Sequence, residues 1–490
     1  MDPKIDKALK AVLPGDRISR DPRDIQMSLT ANLLRKLEET PSCIVRPNDQ
    51  RELGDLITLS NEKGLNLTLT SSTGRHAGGG AAAQRPNIRV DLASWKLIEH
   101  IDRRNRVCLI QPGVTYGELS GALREHGMVV PMPLAPRGGK SVVASVTDRE
   151  PSTWPGRQWD WGDPVGSTEV IFGDGSPFRT GSAGGPGSLE AQRAAGGAQK
   201  YSGGPSQTDL HRVVQGSQGT IGVVTWITVR TEIAPTVQKP FLVGADTLDA
   251  LIPFVYGVQR PGLGEHAFIL NRRALGMLMA RPDRGASGDG HDLPPSYVCL
   301  INIAGFERLP AQRLRYQEHD IREIAGRHGL SLARAFGEVS AEGLLEVSTR
   351  PCGEIDWRHR ARGHCLSLFF LTTLDRAPTF TRLFSDTATR HGLDPRDIGV
   401  YVQPVVQNHA SHVEFMIPFD STDERGVSRM RAFEKEAVIS LAEAGAFFSR
   451  PYGVSQEVAF DQNPTHHELL KKVKDIFDPG RVLNRGKWGL

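Results

Sequence analysis

Residues 65–83, LNLTLTSSTGRHAGGGAAA, place an apolar, β-rich run directly before a loop that contains four glycines. Glycine tolerates positive φ angles and lets other atoms come close to the backbone. Such a loop after a strand is typical either of a tight turn or of a ligand that rests on main-chain N–H groups. The stretch alone leaves both alternatives open.

The residues around this loop predict a mixed α and β fold. Segment 44–72 has the pattern of a short strand, a helix with apolar residues at helical spacing, and a second strand that ends at the glycines. Farther on, Thr115 with Glu118 three residues later predicts a capped helix start. The pair Asp174 and Gly175 lies between two strand patterns and predicts a hairpin turn.

The pattern also predicts a division into domains. Residues 151–205 are rich in Gly, Pro, Ser and Trp, and beyond Pro235 an alternation of strands and helices resumes. We therefore expect a first domain over 1–237, a second over 238–430 and a C-terminal segment over 431–490 that returns to the first. In the second domain the pattern predicts helices near 246–257, 310–328, 378–391 and 424–444, and strands near 298–304, 365–373, 399–406 and 412–418.

Composition narrows the class of protein. The 490 residues carry 59 Lys and Arg against 56 Asp and Glu, a net charge of +3, with no long basic run, so we expect no nucleic-acid partner. The five cysteines are scattered without a CxxC pair, which argues against a disulfide framework and against a zinc site. No secretory h-region and no long apolar segment is present, so we expect a soluble cytoplasmic protein without membrane contact.

Six motifs together resemble a known family. In chain order they are TSSTGRHAGGGAAA, IRVDLASWKLIEHID, IQPGVTYGELSGAL, STEVIFGDGSPFRTG, VVQGSQGTIGVVTWITV and IFDPGRVLNRGKW. Their order and spacing resemble FAD-linked oxidases and dehydrogenases of the vanillyl-alcohol-oxidase family, and most of all its phenol-oxidising branch, which includes 4-cresol dehydrogenase. The resemblance implies an α+β fold, with a PCMH-type FAD-binding domain and an α+β substrate domain, or cap, and it implies FAD as cofactor.

The resemblance also implies which residues bind the cofactor. The glycine loop would wrap the FAD pyrophosphate, the Pro-Gly turn would lie under the cofactor, and the later glycines would contact its adenine end. For Gly219 and Gly222 a simple tight turn is the alternative. The residues concerned are Ser72, Thr73, Gly74, Arg75, His76, Gly78 and Gly79, then Pro112, Gly113 and Val114, then Gly219, Thr220, Gly222 and Val223, and finally Asn484.

Candidate substrate-binding residues lie in the hairpin pattern 400–419. Period-two alternation puts Tyr401 and Gln403 on one face of its first strand, and His412 and Glu414 on one face of its second. These side chains either position a substrate or form an exposed sheet face. A divalent-metal site formed by His409, His412 and Glu414 is another alternative, but the HxGDGNxH-like pattern of metal-dependent relatives is missing, so we expect no metal.

Two further sites follow from the resemblance. Arg450 and Tyr452 lie before the terminal helix much as a Tyr-Arg pair does in phenol-oxidising relatives, although in reversed order. Counting back from the motif around Glu169 places Asp160 where those relatives have an acid near flavin N5, as a base or a charge stabiliser. The alternative is that Asp160 caps a turn. Ser120 stands where those relatives carry a phenolate-binding tyrosine, so the sequence does not predict a standard phenolate clamp.

These inferences predict an FAD-dependent oxidase or dehydrogenase that transfers hydride from an aromatic alcohol or 4-substituted phenol to flavin N5. One alternative is a 2-hydroxy-acid dehydrogenase, with Arg272 or Arg350 holding a carboxylate. Another is a flavin-free binding or scaffold subunit, because the segment GGKSVVASVTDREPSTW lacks the usual GGxVxxN spacing. Oxygen or a separate electron acceptor would reoxidise the flavin, and we expect a homo-oligomer.

Overall fold

A computed structural model describes residues 3–29, 34, 40–74, 86–158, 160, 162–197, 199–204, 209–279, 294–407 and 409–490. Four predicted cofactor-binding residues, Arg75, His76, Gly78 and Gly79, lie outside the described residues. Among the helices that the structure does describe, none is both long and apolar enough to cross a membrane.

The N-terminal domain contains two main sheets with helices around them. Its strands are β1 (Ile18–Ser19), β2 (Cys43–Val45), β3 (Asn66–Thr70), β4 (Asn87–Asp91), β5 (Ile98–Asp102), β6 (Val107–Ile110), β7 (Met128–Val129), β8 (Val165–Phe172), β9 (Pro177–Arg179), β10 (Gly222–Arg230) and β11 (Glu232–Ile233). Its helices are α1 (Pro3–Val12), α2 (Pro22–Ser28), α3 (Gln50–Lys63), α4 (Tyr116–Glu125), α5 (Val142–Thr147), α6 (Leu189–Ala194) and α7 (His211–Val214).

The first sheet has the strand order β1-β2-β4-β3, with β2, β4 and β3 parallel. Helix α3 connects β2 to β3 and packs its buried Leu53, Leu56 and Ile57 into the core of this sheet. It begins at Asp49, whose carboxylate caps the Glu52 N–H, and ends at Gly64 with a φ of 62°. The predicted α/β unit is confirmed, and β3 leads into the glycine loop.

The second sheet is antiparallel, in the order β5-β6-β10-β8-β9. The hairpin between β8 and β9 turns at Asp174 and Gly175, as predicted, and Gly175 has a φ of 88°. Helix α4 opens with the predicted capping box between Thr115 and Glu118. Local sequence signals therefore predicted both the hairpin turn and the start of α4.

The cap consists of a large antiparallel sheet and its helices. Its strands are β12 (Val237–Ala245), β13 (His266–Asn271), β14 (Tyr297–Gly305), β15 (Ala335–Phe336), β16 (Val339–Ser340), β17 (His364–Thr372), β18 (Gly399–Val405) and β19 (Ala410–Phe419). The helices that follow β12 are α8 (Leu248–Gln259), α9 (Arg272–Met279), α10 (Pro310–Arg327), α11 (Ala341–Thr349), α12 (Ala377–Arg390), α13 (Glu424–Glu443), α14 (Val454–Asp461) and α15 (Pro464–Phe477).

The cap sheet has the order β12-β14-β13-β18-β19-β17 and two different faces. One face, with Val400, Val402 and Phe415, packs into a core shared with α8, α10, α12 and α13. Residues that alternate with these, such as Tyr401 and Met416, belong to the opposite face. The opposite face of β18 and β19 looks toward the N-terminal domain and carries the candidate site.

One predicted domain boundary lies inside a helix. Helix α13 crosses position 430 and packs Phe433 and Val438 into the cap core, so a division at 430 would cut a helix that belongs to the cap. We propose that the cap extends to the end of α13. Beyond it, Phe477 of α15 packs against Phe172 of β8 at a ring distance of 4.5 Å, and this contact supports a C-terminal segment that returns to the N-terminal domain.

Candidate active site

A cavity of about 670 Å³ lies between the N-terminal domain and the cap sheet. This volume is in the range of sites that hold a small molecule or a cofactor. The N-terminal domain lines it with Leu69, Thr70, Ser71, Ser72, Pro112, Gln218, Gly219, Gly222 and Val223, the cap with Arg358, Ser367, Phe369, Tyr401, His412 and Glu414, and the C-terminal segment with Arg450, Tyr452, Asn484 and Lys487.

The start of the glycine loop is fixed against a neighbouring turn. The Ser72 hydroxyl accepts a hydrogen bond from the Ser141 N–H at 3.0 Å, and the Thr73 N–H donates to the Gly139 carbonyl at 3.0 Å. Ser72 lines the cavity, whereas Thr73 and Gly74 follow it without lining the cavity. The loop therefore leaves β3 at the edge of the cavity.

Asn484 joins three parts of the cavity wall. Its side-chain amide donates to the carbonyls of Gln218 and Gly219 at 3.0 and 3.1 Å, and its oxygen accepts from the Leu69 N–H at 3.3 Å. Gly219 has a φ of 72°, and a Cβ there would lie 2.6 Å from the Asn484 Nδ2 atom. Gly219 is thus a tight turn that also lines the cavity, and its contact with the cofactor stays a prediction.

Some of the other predicted cofactor-binding residues line the cavity, and the rest are buried behind the residues that line it. Pro112, Gly222 and Val223 line the cavity. Gly113 and Val114 lie behind Pro112; a Cβ on Gly113 would approach the Ala93 carbonyl to 2.6 Å, and Val114 is buried. Thr220 is also buried, and its hydroxyl donates to the Ser217 carbonyl at 2.7 Å.

This wall suits an elongated anionic cofactor. It includes the turns at Pro112 and Gly219, where a ligand can approach main-chain groups, and it carries cationic side chains. Arg137 is one of the cationic residues of this wall. Burial lowers the pKa of its guanidinium, although nearby acids oppose the shift. Besides Arg358 and Arg450, the arginine and lysine side chains that line the cavity are Arg89, Arg137, Lys140 and Lys487.

The cap wall is organised around a buried carboxylate, Glu414. Arg358 donates to it at two points, from Nε to Oε1 at 2.6 Å and from Nη2 to Oε2 at 2.8 Å, and the Ser367 hydroxyl donates to Oε1 at 2.6 Å. Burial alone would raise the pKa of Glu414, but the charge and hydrogen bonds of Arg358 and the nearby His412 hold it well below its usual range. Glu414 is therefore ionised in a buried setting.

His412 and Tyr401 lie beside this carboxylate. The His412 Nε2 atom is 3.6 Å from Glu414 Oε2, and burial lowers the pKa of the imidazole, although Glu414 opposes the shift. The Tyr401 hydroxyl donates to the Gln403 side-chain oxygen at 2.9 Å. The period-two prediction for the hairpin is confirmed in its geometry, and because all four side chains are buried, the alternative of an exposed sheet face is wrong.

Not every hairpin residue reaches the cavity. Gln403 is buried behind Tyr401, with its amide donating to the carbonyls of Ala267 and Pro404 at 3.0 and 2.8 Å. His409 is exposed and does not line the cavity. Within the described part of the chain, no group of three or more His, Cys, Asp or Glu side chains is placed to hold a metal ion.

Arg450 and Tyr452 meet a third residue that the sequence analysis missed, Asp148. The Tyr452 hydroxyl donates to Asp148 Oδ1 at 2.8 Å, and Arg450 Nη1 lies 3.5 Å from Asp148 Oδ2. The Arg450 guanidinium also covers the Phe369 ring at 4.3 Å. Asp148 follows α5 within the segment whose spacing departs from the family pattern, but no local signal indicates its partners, which are about 300 residues away.

Asp160 does not lie in the cavity, so the prediction that it is an acid near flavin N5 is wrong. Its side chain is 51% exposed, pairs with Arg212 at 2.9 Å and accepts from the Gly162 N–H at 2.7 Å, and it does not line the cavity. Burial would raise the pKa of Asp160, but the hydrogen bonds from Arg212 and Gly162 lower it. The geometry is that of a carboxylate that stabilises a turn.

Three other predicted positions also lie outside the cavity. Arg272 donates to the Pro294 carbonyl at 2.8 Å, and Arg350 pairs with Glu346 at 2.5 Å on the exposed side of α11. Ser120 does not line the cavity either, and the nearby Tyr116 is buried, donating to Ser145 at 3.0 Å. Neither proposed carboxylate clamp is therefore present at the site.

Comparisons with known proteins agree with this architecture. Residues 41–181 match the family model described as FAD binding domain. Over 99% of this chain and 97% of the relative, the sequence is 24% identical to D-2-hydroxyglutarate dehydrogenase of Xanthomonas citri pv. viticola. Over 41% of this chain and 37% of the relative, it is 28% identical to the 4-cresol dehydrogenase [hydroxylating] flavoprotein subunit of Pseudomonas putida.

The fold is also similar to a solved structure of p-cresol methylhydroxylase with substrate bound. The TM-score is 0.82 at 17% identity, and the match covers 100% of this chain and 98% of that one. The fold is thus the PCMH-type FAD-binding fold, and the cofactor is FAD. The protein is an enzyme, an FAD-dependent oxidoreductase, which excludes the flavin-free scaffold alternative.

Proposed function

We propose that this enzyme oxidises a 4-substituted phenol or an aromatic alcohol and passes the hydride to FAD. The observation that carries the proposal is the cluster of Arg450, Tyr452 and Asp148, which lines the cavity beside Phe369. A cation and a phenol hydroxyl that meet there can hold the oxygen of a phenolic substrate. This pair would then serve as the phenolate clamp without the tyrosine that Ser120 replaces.

Aromatic side chains around Phe369 support a planar substrate. Its ring lies 6.3 Å from that of Tyr452 at an angle of 71°, and 5.8 Å from that of His412. Edge-on and tilted rings at these distances are favourable aromatic contacts. A phenol that enters here would pack between aromatic residues with its oxygen toward Arg450.

The bound FAD would supply the hydride acceptor, and the remaining chemistry would fall to protein side chains. We propose His412 as the group that takes a proton from the substrate alcohol or from an attacking water. Its neutral imidazole can accept a proton, and Glu414 at 3.6 Å would stabilise the charged form. His412, rather than Asp160, is therefore the proposed base, because Asp160 lies outside the cavity.

We also propose the residues that hold FAD. Ser72, Pro112, Gly219, Gly222, Val223 and Asn484 line the wall built from the N-terminal domain and the C-terminal segment, so they would contact the cofactor, while Thr73, Gly74, Gly113, Val114 and Thr220 would shape that wall. Arg89 and Lys487 add positive charge for the phosphates.

A second candidate is the oxidation of a 2-hydroxy acid. A relative over nearly the full chain is D-2-hydroxyglutarate dehydrogenase, and Arg450 could hold a carboxylate as well as a phenolate. Arg272 and Arg350 are not the clamp in this case, because neither lines the cavity.

Anaerobic reduction of the FAD-loaded enzyme tests both candidates. The panel would contain 4-ethylphenol, 4-hydroxybenzyl alcohol, D-2-hydroxyglutarate and D-lactate, with the methyl ether of 4-ethylphenol as the matched control. We expect the phenols to bleach the flavin absorbance and the ether to react much more slowly. Bleaching by the hydroxy acids alone would overturn the phenol proposal and establish the second candidate.

A further inference from the structure

We propose that Asp148 receives the hydroxyl proton of a phenolic substrate through Tyr452, so that a neutral phenol is converted to a bound phenolate inside the cavity. The inference rests on the phenol proposed above. Asp148 does not need to touch the substrate, because it acts through Tyr452. It is therefore a positioning residue, which sets where the proton goes.

The geometry provides the route. Asp148, Arg450 and Tyr452 all line the cavity. The Tyr452 hydroxyl donates to Asp148 Oδ1 at 2.8 Å, and Arg450 Nη1 lies 3.5 Å from the other carboxylate oxygen. The Asp148 and Arg450 side chains are only 18% and 8% exposed, so solvent has little access to the pair.

The direction of these hydrogen bonds matters. A tyrosine hydroxyl has one hydrogen, and here Asp148 accepts it, so a second bond to the Tyr452 oxygen must come from a donor. A neutral phenol is such a donor, whereas a phenolate is not. The arrangement therefore favours the entry of the neutral substrate.

The proton transfer is balanced and involves no redox step. The substrate O–H bond breaks as its proton moves to the Tyr452 oxygen, and the Tyr452 O–H bond breaks as its proton moves to Asp148 Oδ1. The negative charge moves from Asp148 to the substrate oxygen, while Arg450 stays beside both positions. The phenolate is the more electron-rich form, from which hydride leaves more readily.

The surroundings of Asp148 suit a proton acceptor. Burial raises the pKa of Asp148 and nearby Glu150 raises it further, whereas Arg450, Tyr452 and Lys140 oppose the shift. Lys140 is itself paired with Glu150, and the Ser145 hydroxyl also donates to Glu150 at 2.6 Å. A carboxylate with a raised pKa binds a proton more readily than an exposed aspartate does.

Binding of 4-nitrophenol to the FAD-loaded protein tests the relay, because absorbance reports whether the bound probe is ionised. At pH values below the pKa of free 4-nitrophenol, we expect the wild type to bind the probe as phenolate with a Kd that does not depend on pH. Titration calorimetry in several buffers should then show no net release of protons on binding. In Asp148→Asn the proton has no acceptor. The bound probe should then stay neutral. If it is instead bound as phenolate, one proton should be released on binding, and the Kd should fall tenfold for each unit by which the pH rises.

Two variants test the route and one serves as a control. Tyr452→Phe should behave like Asp148→Asn, and Asp148→Glu should restore the wild-type pattern. Asp375→Asn removes the carboxylate from another Asp–Tyr pair, in which the Tyr256 hydroxyl donates to Asp375 at 3.1 Å away from the cavity, and it should change nothing.

Several results would overturn the relay. A wild-type protein that binds the probe in neutral form, or releases a proton, excludes Asp148 as the acceptor. Retention of the wild-type pattern in Asp148→Asn does the same, and retention in Tyr452→Phe excludes the route. If phenols reduce the flavin but the relay pattern is missing, only this inference fails; if no phenol binds, the proposed substrate class fails with it.

Discussion

Arg358 and Glu414 form a two-point ion pair on the cap wall, with Nε–Oε1 and Nη2–Oε2 distances of 2.6 and 2.8 Å. Glu414 is 2% exposed, so its charge depends on this partner and on the Ser367 hydroxyl rather than on water. The pair joins the 3₁₀ turn at Trp357–His359 to strand β19. It therefore stabilises the wall on which His412 and Tyr401 lie.

Removing Arg358 should destabilise the cap. Arg358→Met leaves a buried carboxylate without its partner, which typically costs about 3–5 kcal/mol. Urea unfolding followed by circular dichroism would measure the change. Arg382→Met is the control, because Arg382 is 61% exposed and pairs with Asp249 on the surface, where ion pairs contribute little. Equal effects of both substitutions would contradict the assignment.

The same pair predicts a pH dependence of stability. Because the pKa of Glu414 is lower in the folded state than in the unfolded chain, its contribution is complete above the unfolded value of about 4.3 and is lost as the pH falls toward the folded value. The free energy of unfolding should therefore fall with pH in this acidic range. Glu414→Gln should reduce the slope, and an unchanged slope would show that other acids cause it.

Asp160 should be dispensable for catalysis. Its carboxylate pairs with Arg212 on the surface, so Asp160→Asn should change anaerobic flavin reduction far less than the hundredfold or greater loss expected for a general base. His412→Gln is the comparison, and we expect about a hundredfold slower reduction there. A slow Asp160→Asn enzyme beside a fast His412→Gln enzyme would reverse the proposed roles.

Local patterns in the sequence predicted much of the fold. The strand alternation identified the buried faces of β18 and β19, and the helix predicted at 310–328 is observed as Pro310–Arg327. The extension of the cap beyond position 430, which we propose above, has no comparable signal in the sequence. An amphipathic helix shows that one of its faces is buried, but it does not show which domain buries it.

The candidate site was less accessible from the sequence, because its residues meet only in the folded chain. Arg358 is 56 positions from Glu414, and Asp148 is 304 positions from Tyr452, so neither pair has a sequence signature. Tyr401, His412 and Glu414 were found because a strand pattern specifies a face. Asp160 was placed by counting along a segment that departs from the family pattern, and such counting carries no information on where a loop folds.

Gly219 should be important for retention of FAD. Gly219→Ala combines a side chain at a φ of 72° with a Cβ that would lie 2.6 Å from Asn484 Nδ2, so the loop along the cavity has to shift. We expect a lower ratio of flavin to protein after purification, measured by absorbance. Gly121→Ala is the matched control, since Gly121 lies in α4 with no atom near its added Cβ. Equal loss of flavin in both variants would indicate a general effect on folding.

Arg450 should affect the substrate rather than the cofactor. Its guanidinium lies over Phe369 and beside Asp148 at the proposed position of the substrate oxygen, and loss of a buried cation that binds an anion costs roughly 2–5 kcal/mol. Arg450→Met should therefore lower kcat/KM for the best phenol by about thirtyfold or more, while FAD content stays unchanged. Arg450→Lys should recover only part of the loss, because an ammonium group cannot reproduce the planar contact with the ring and the substrate.

The control for this substitution is Arg376→Met. Arg376 also covers an aromatic ring, Phe380, at 5.7 Å, but it lies outside the cavity. Its removal tests the effect of losing a stacked arginine without touching the site, and kcat/KM should stay close to wild type. If Arg450→Met lowers kcat/KM no more than Arg376→Met does, Arg450 does not hold the substrate, and the phenol oxygen must bind elsewhere in the cavity.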